Sequence, residues 1–307
     1  MKKNSSVETS AGTKGLWYGL VGVVSFSLSL PATRLAVADL DPVVVGLGRA
    51  LVAALLAAGL LLVTRTPRPS RSQLRGLLLV ALGVVVGFPL LSAWAMQRVP
   101  AAHGAIVIGV LPLATALASV MRAGERPSGR FWVLSLMGAA VVVGYVLADG
   151  GGQLQAADAW LLGAVAAAAL GYAEGGRLAR ELGGWQVICW ALVLAAPVLV
   201  FPVAQAVRAH GLHAGPMAWA GFAYVSMVSM FLGFFAWYHG LALGGVARVG
   251  QLQLLQPFLT ILASAALLGE TISGRTLLAA GLVILIVAMG RRAAVSPVAQ
   301  SVLAKAK

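Results

Sequence analysis

Apolar stretches of about 20 residues follow one another along this chain, separated by short breaks rich in Gly, Pro and charge. Each is long enough to cross a hydrocarbon core of roughly 30 Å as an α-helix. Ten spans are predicted, at about residues 15–34, 42–63, 74–97, 101–121, 129–148, 157–178, 185–207, 216–241, 247–268 and 273–290. The breaks have local causes, among them Asp41-Pro42, Pro67/Pro69, Val99-Pro100, Gly183-Gly184, Gly215-Pro216 and Gly244-Gly245. Connections this short make neighbouring helices antiparallel.

One apolar segment occurs twice. PLATALASVMRAGERPSGR begins at Pro112 and PFLTILASAALLGETISGR at Pro257, with Gly124/Gly269 and Glu125/Glu270 among the identities. Trp17 and Arg34 likewise have copies at Trp160 and Arg177. That copy argues against reading the basic N-terminus and the apolar run from Leu16 as a cleaved leader. The expected organisation is a cytoplasmic segment 1–14, a five-helix repeat 15–148, an outer linker 149–158, a second repeat 159–290 and a basic tail 291–307. Five is odd, so the second copy is inverted. The fold class expected is an all-α integral membrane protein of ten transmembrane helices in two inverted five-helix repeats, an architecture of transporters.

Composition agrees. Only 10% of the 307 residues are charged, against about 25% in a soluble domain. A net charge of +13 would point to nucleic acid in a soluble protein, but here the Lys and Arg segregate by side. With the N-terminus inside, the inner segments hold Lys2, Lys3, Lys14, Arg65, Arg68, Arg71, Arg75, Arg122, Arg126, Arg130, Arg177, Arg180, Arg248, Arg291, Arg292, Lys305 and Lys307. The outer segments hold Arg34, Arg98, Arg208 and Arg275. This bias places both termini in the cytoplasm. Cys189 alone supports neither a disulfide nor a Cys metal site.

Several of these features are carried together by a known family. Asp41-Pro42 is followed seven residues later by Arg49, Pro-x12-Glu is doubled, and Gly138, Gly144, Gly281 and Gly290 mark the last helix of each half. Over about residues 15–290 the chain resembles the drug/metabolite transporter superfamily, of the EamA type with two five-helix repeats. The resemblance implies a multi-pass carrier of the cytoplasmic (inner) membrane, usually an exporter of amino acids, other metabolites or cationic drugs. The Asn frequent in the family's first helix is absent; Ser25, Ser27 and Ser29 stand there.

Candidate residues follow from what a bilayer penalises. Pro112 and Pro257, in mid-span, are expected to kink helices four and nine around a midplane cavity lined by helices one, three, four, six, eight and nine. Gln251, Gln253 and Gln256 are costly amides in hydrocarbon unless partnered, and Gln256 adjoins the kink. Tyr224, Ser226, Met230 and Phe234 of helix eight, with Trp94 of helix three, are further cavity candidates; Trp237 and Tyr238 suit either the same aromatic wall or, with His239, an interfacial belt. Arg49 and Glu174 are charges within spans and so functional candidates. Arg49 suits either an anionic group or a structural ion pair. Glu174 suits either proton exchange or an i,i+3 pair with Arg177. Glu125 and Glu270 are expected to favour the N-termini of the helices that follow them.

Metal-ligand spacing, a phosphate-binding loop and a nucleophile–base pair are all missing from the sequence. It therefore predicts no enzyme, no cofactor, no metal and no nucleic-acid partner. The expected function is secondary export of amino acids or other small metabolites by alternating access, with protons as a candidate coupling ion. Proton-exchange efflux of quaternary ammonium drugs is one alternative, and an intramembrane lipid-modifying enzyme is another. The partners expected are a small solute and the bilayer; a monomer satisfies the pattern, and oligomeric state is not fixed by it.

Overall fold

The apolar stretches form helices in the computed structural model, which describes residues 2–122, 124–149, 155–290 and 295–297. In chain order they are α1 Thr13–Val37, α2 Val44–Val63, α3 Arg71–Met96, α4 Ala101–Arg122, α5 Gly129–Asp149, α6 Ala156–Leu182, α7 Gly184–His210, α8 Pro216–Gly244, α9 Val246–Leu268 and α10 Gly274–Gly290. All but α5 and α10 are long and apolar enough to cross a membrane, and those two carry the shorter apolar stretches Trp132–Tyr145 and Gly274–Ile286. Helical backbone also runs upstream of α1 to Lys2. One short ladder was not foreseen: β1 Glu125–Pro127 pairs antiparallel with β2 Val295–Pro297. Most of the expected linker and basic tail lies outside the described residues, Arg291, Arg292, Lys305 and Lys307 included.

The packing obeys the repeat. α1 packs on α8 and α6 on α3; α4 packs on α6 and α9 on α1; α2 meets α7 and α5 meets α10. Exchanging helices one to five with six to ten maps this set of neighbours onto itself. The α4–α9 contact shows the inversion. Ala101–Ile108 of α4 lies on Gln256–Leu268 of α9, while Leu111–Arg122 lies on Val246–Gly250. The two helices cross head to tail, as inverted copies must.

Helices four and nine are broken, not bent. α4 stops at Ile108 and restarts at Leu111; α9 passes through a 3-10 turn, Gln251–Leu254, and restarts at Gln256. The expectation of mid-helix kinks is corrected accordingly. Pro112 and Pro257 each stand in the first turn of a new helix, where a missing N–H costs nothing. α1 is interrupted too, at Leu28. Carbonyls near that break are met by hydroxyls from the other half: Thr260 Oγ1 donates to Ser27 O at 2.6 Å and Tyr224 Oη to Ser25 O at 2.9 Å. Broken backbone in a membrane persists where protein satisfies it.

Glycines set the closest approaches. A Cβ at Gly240 of α8 would lie 2.7 Å from Gly19 N of α1, and one at Gly15 would lie 2.7 Å from Gly244 N. The copy of this seam brings Gly83 of α3 against Gly171 of α6. Small residues let membrane helices approach backbone to backbone. Gly240→Ala is therefore expected to push α1 off α8 and destabilise by about 1–3 kcal/mol, as overpacking does. Gly59→Ala, whose Cβ would meet nothing within 4 Å, is the control. Thermal midpoints of the two variants in detergent check this; equal midpoints would refute the close seam.

Candidate functional site

A small, largely enclosed cavity of ≈ 20 Å³ lies between the halves, with room for about one water. Its walls come from Phe26 and Ser29 of α1, Arg49 of α2, Val84 and Phe88 of α3, Tyr172 of α6, Ser229, Met230 and Phe234 of α8, and Gln256 of α9. Against expectation, α2 takes part and α4 supplies no lining residue. Ser29 Oγ and Ser229 Oγ, one from each half, are 2.7 Å apart. Phe26, Tyr172 and Phe234 form an aromatic wall, with ring centroids 5.0 Å (Phe26–Phe234) and 6.1 Å (Tyr172–Phe234) apart.

Local backbone presents these groups. π-helical turns occupy Val44–Gly48, Ala81–Gly87 and Tyr224–Leu232. They fall beside Arg49, around Val84, and around Ser229 and Met230. Such turns recur at functional sites because the extra residue re-aims neighbouring side chains. Asp41 sets the start of α2, its Oδ1 accepting from Val43 N at 2.8 Å, with Pro42 in the first turn.

Arg49 is 1% exposed. Its Nε donates to Gly46 O at a long 3.4 Å, and its Nη2 has no hydrogen-bond partner among the described residues. Gln256 Oε1 is likewise unpartnered, as are Gln251 Oε1 and Gln253 Nε2. Polar groups left this way in a protein interior are expensive.

Ion pairs stand at both ends of the bundle. At the end where α1 finishes, Arg34 Nε lies 3.1 Å from Glu270 Oε1. Glu270 also accepts from Ala101 N at 2.9 Å and Ala102 N at 3.0 Å. Its carboxylate thus caps α4, a helix far off in sequence, and not α10 which follows it; that expectation is corrected. Gly269 makes this possible by ending α9 in the left-handed region, φ 64°. Outside the pair is a depression of ≈ 660 Å³ lined by Arg34, Met96, Gln97, Arg98 and Glu270 among others. At the opposite end, Glu174 of α6 receives Arg122 Nε of α4 at 3.0 Å and Arg177 Nη2 at 2.8 Å. Arg177 also reaches Glu181 at 2.7 Å. The side chain of Glu125, the repeat's counterpart of Glu270, lies outside the described residues.

The structure gathers Arg49, Gln256, Met230 and Phe234 around the cavity. It places Glu174 in the ion-pair cluster instead. Tyr224 and Ser226 are engaged by backbone carbonyls, Ser25 O and Phe222 O. Trp94 packs on Trp160, 5.9 Å between centroids, beside Arg98. Trp237 and Tyr238 are fully buried, Trp237 packing beside Phe26 and Tyr172 and Tyr238 beside Phe234, which overturns an interfacial belt for those two. Sequence reasoning missed Phe26, Phe88 and Tyr172 as cavity walls. It also missed the buried His103–Asp158 pair, 2.7 Å apart. The repeat held one usable signal: Tyr172 lies two residues before Glu174, on the copy of the stretch that carries Ser29.

The model of the EamA-like transporter family matches residues 13–147 and again 155–290. The chain is 49% identical over 282 residues to the uncharacterized transporter YdeK of Bacillus subtilis, covering 91% of this chain and 98% of that one. It is 28% identical over 270 residues to a probable terminal-alkyne amino-acid exporter of Streptantibioticus cattleyicolor, covering 84% and 86% respectively. A solved crystal structure superposes with TM-score 0.66 over 91% of this chain and 98% of that chain, at 18% identity, a likeness of fold.

Proposed function

We propose a function from one premise: the chain belongs to the EamA-like transporter family and is a multi-pass membrane transporter. Within that class it is a secondary exporter of amino acids or other small metabolites, working by alternating access in the cytoplasmic membrane with both termini inside. The observation that carries this is a largely enclosed cavity at the meeting of two inverted halves, with an ion-pair cluster between the halves at each end. Two halves that can part at one end while held at the other give a solute access from alternate sides. The amino-acid part of the proposal is supported by the name of the 28% identical relative.

Cells overexpressing the protein are expected to resist toxic amino-acid analogues and to hold less of the analogue inside. Sensitisation would reverse the direction, and unchanged survival and unchanged vesicle transport across all analogues would remove the amino-acid reading. Topology is checked separately. Tags at both termini are expected to report the cytoplasm and a Gly151→Cys probe to be labelled only from outside; labelling from the cytoplasm alone would overturn the ten-helix arrangement.

A further inference from the structure

We propose that Arg49 is the anchor for a solute carboxylate, and that the site, widened from this one-water cavity as the halves part, selects anionic or zwitterionic solutes with an apolar body while needing no ammonium group. This rests on the transporter reading and narrows its substrate. The guanidinium is buried, lines the cavity, and has an unpartnered Nη2. A permanent charge in a membrane interior is held at a cost of several kcal/mol unless it is paired.

Among the described residues no carboxylate supplies that pair. None of the cavity residues is Asp or Glu. Glu174 spends one oxygen on Arg122 and the other on Arg177. Asp41 is engaged by Val43 N and lies near His210. The compensating charge therefore comes with the solute, and guanidinium geometry suits a carboxylate taken by two hydrogen bonds.

The rest of the wall sets the body and the secondary contacts. Phe26, Tyr172 and Phe234 offer apolar faces for a ring or a branched chain. Gln256 Oε1 is a free acceptor, and Ser29 and Ser229 form a hydroxyl pair. These neutral groups tolerate an ammonium without requiring one. A solute carrying only a positive charge would meet Arg49 unpaired and be rejected, so quaternary ammonium ions are excluded from this site.

The test uses purified full-length protein in detergent, with no gradient, and three probes that share a body: phenylalanine, phenylpropionate and phenethylamine. The first two are expected to raise the thermal midpoint and the amine to leave it unchanged. Arg49→Gln is expected to keep or raise the midpoint of solute-free protein, because it removes an unpaired buried charge, and to weaken both carboxylates by at least about thirtyfold. Arg49→Lys keeps the charge but not the fork and should retain part of the affinity.

Several results would overturn the proposal: stabilisation by the amine, no stabilisation by either carboxylate, carboxylate binding unchanged in Arg49→Gln, or loss of folded solute-free protein in that variant. The last would mark Arg49 as a structural charge. Vesicle transport of any other solute, independent of Arg49, would leave the transporter reading standing while this proposal fell.

Discussion

Glu270→Gln is expected to open the end of the bundle where α1 finishes and to lower stability by about 2–4 kcal/mol, the loss of two charge-assisted hydrogen bonds. One carboxylate there joins three elements. It holds Arg34 of α1, and it takes the first two amides of α4, all from the connection between α9 and α10. Arg34 extends the tie by donating to Met96 O and Val99 O at the α3–α4 turn. Because Glu270 belongs to the second half and its partners to the first, the contact closes the halves on each other. A neutral amide cannot accept from two amides and balance a guanidinium together. With Cys189→Ala as background, Ser229→Cys in the cavity wall reports the opening. An impermeant maleimide added at the Arg34 end should label it about tenfold faster or more after the change, since 1.4 kcal/mol shifts a two-state equilibrium tenfold. Unchanged labelling would mean that the contact is a helix cap and not a gate.

Much of this fold was legible because the determining features are local or periodic. Length of apolar run and the doubled Pro-x12-Glu required no knowledge of what touches what. The interruptions in α4 and α9 were also foreseen in place, though not in form. A proline in a span signals a missing hydrogen bond, but whether the chain bends or restarts depends on the residues before it. Here Gly109 and the run Gln251–Leu254 let the helix stop first.

The site was harder, for a physical reason. Glu270 meets Ala101 across 169 residues, and Ser29 meets Ser229 across 200. No local pattern encodes such pairs. The sequence also left two roles open for Arg49, because its partner could come from any distant helix; among the described residues no Asp or Glu lines the cavity around it. Trp237 misled for a related reason: an aromatic near a helix end looks the same whether lipid or protein covers it, and here protein does.

Glu174→Gln is expected to act at the other end and in the opposite sense. The carboxylate is 1% exposed and bridges Arg122 of the first half to Arg177 of its own helix. Gly76 of α3 leaves the space it fills; a side chain there would collide with Oε1. Arg34, the repeat's counterpart of Arg177, has no carboxylate one turn before it on its own helix, because the residue aligned with Glu174 is Pro31, and it pairs with Glu270 instead. Removing the bridge should bias the chain toward opening here. Since Arg122 and Arg177 are 41% and 36% exposed, water takes over part of their hydration and the cost is held to about 1–3 kcal/mol. The Ser229→Cys probe should then be labelled faster from the Arg122 end and no faster from the Arg34 end. Arg122→Gln, which breaks the same link between halves but leaves the Glu174–Arg177 pair, should reproduce the shift. Proton coupling is the competing role. A carboxylate that must bind a proton in each cycle would have to abandon two guanidinium partners, so any stimulation of vesicle efflux by a pH gradient is expected to survive Glu174→Gln. If that stimulation disappears while gradient-free exchange continues, Glu174 carries the proton and the bridge is secondary.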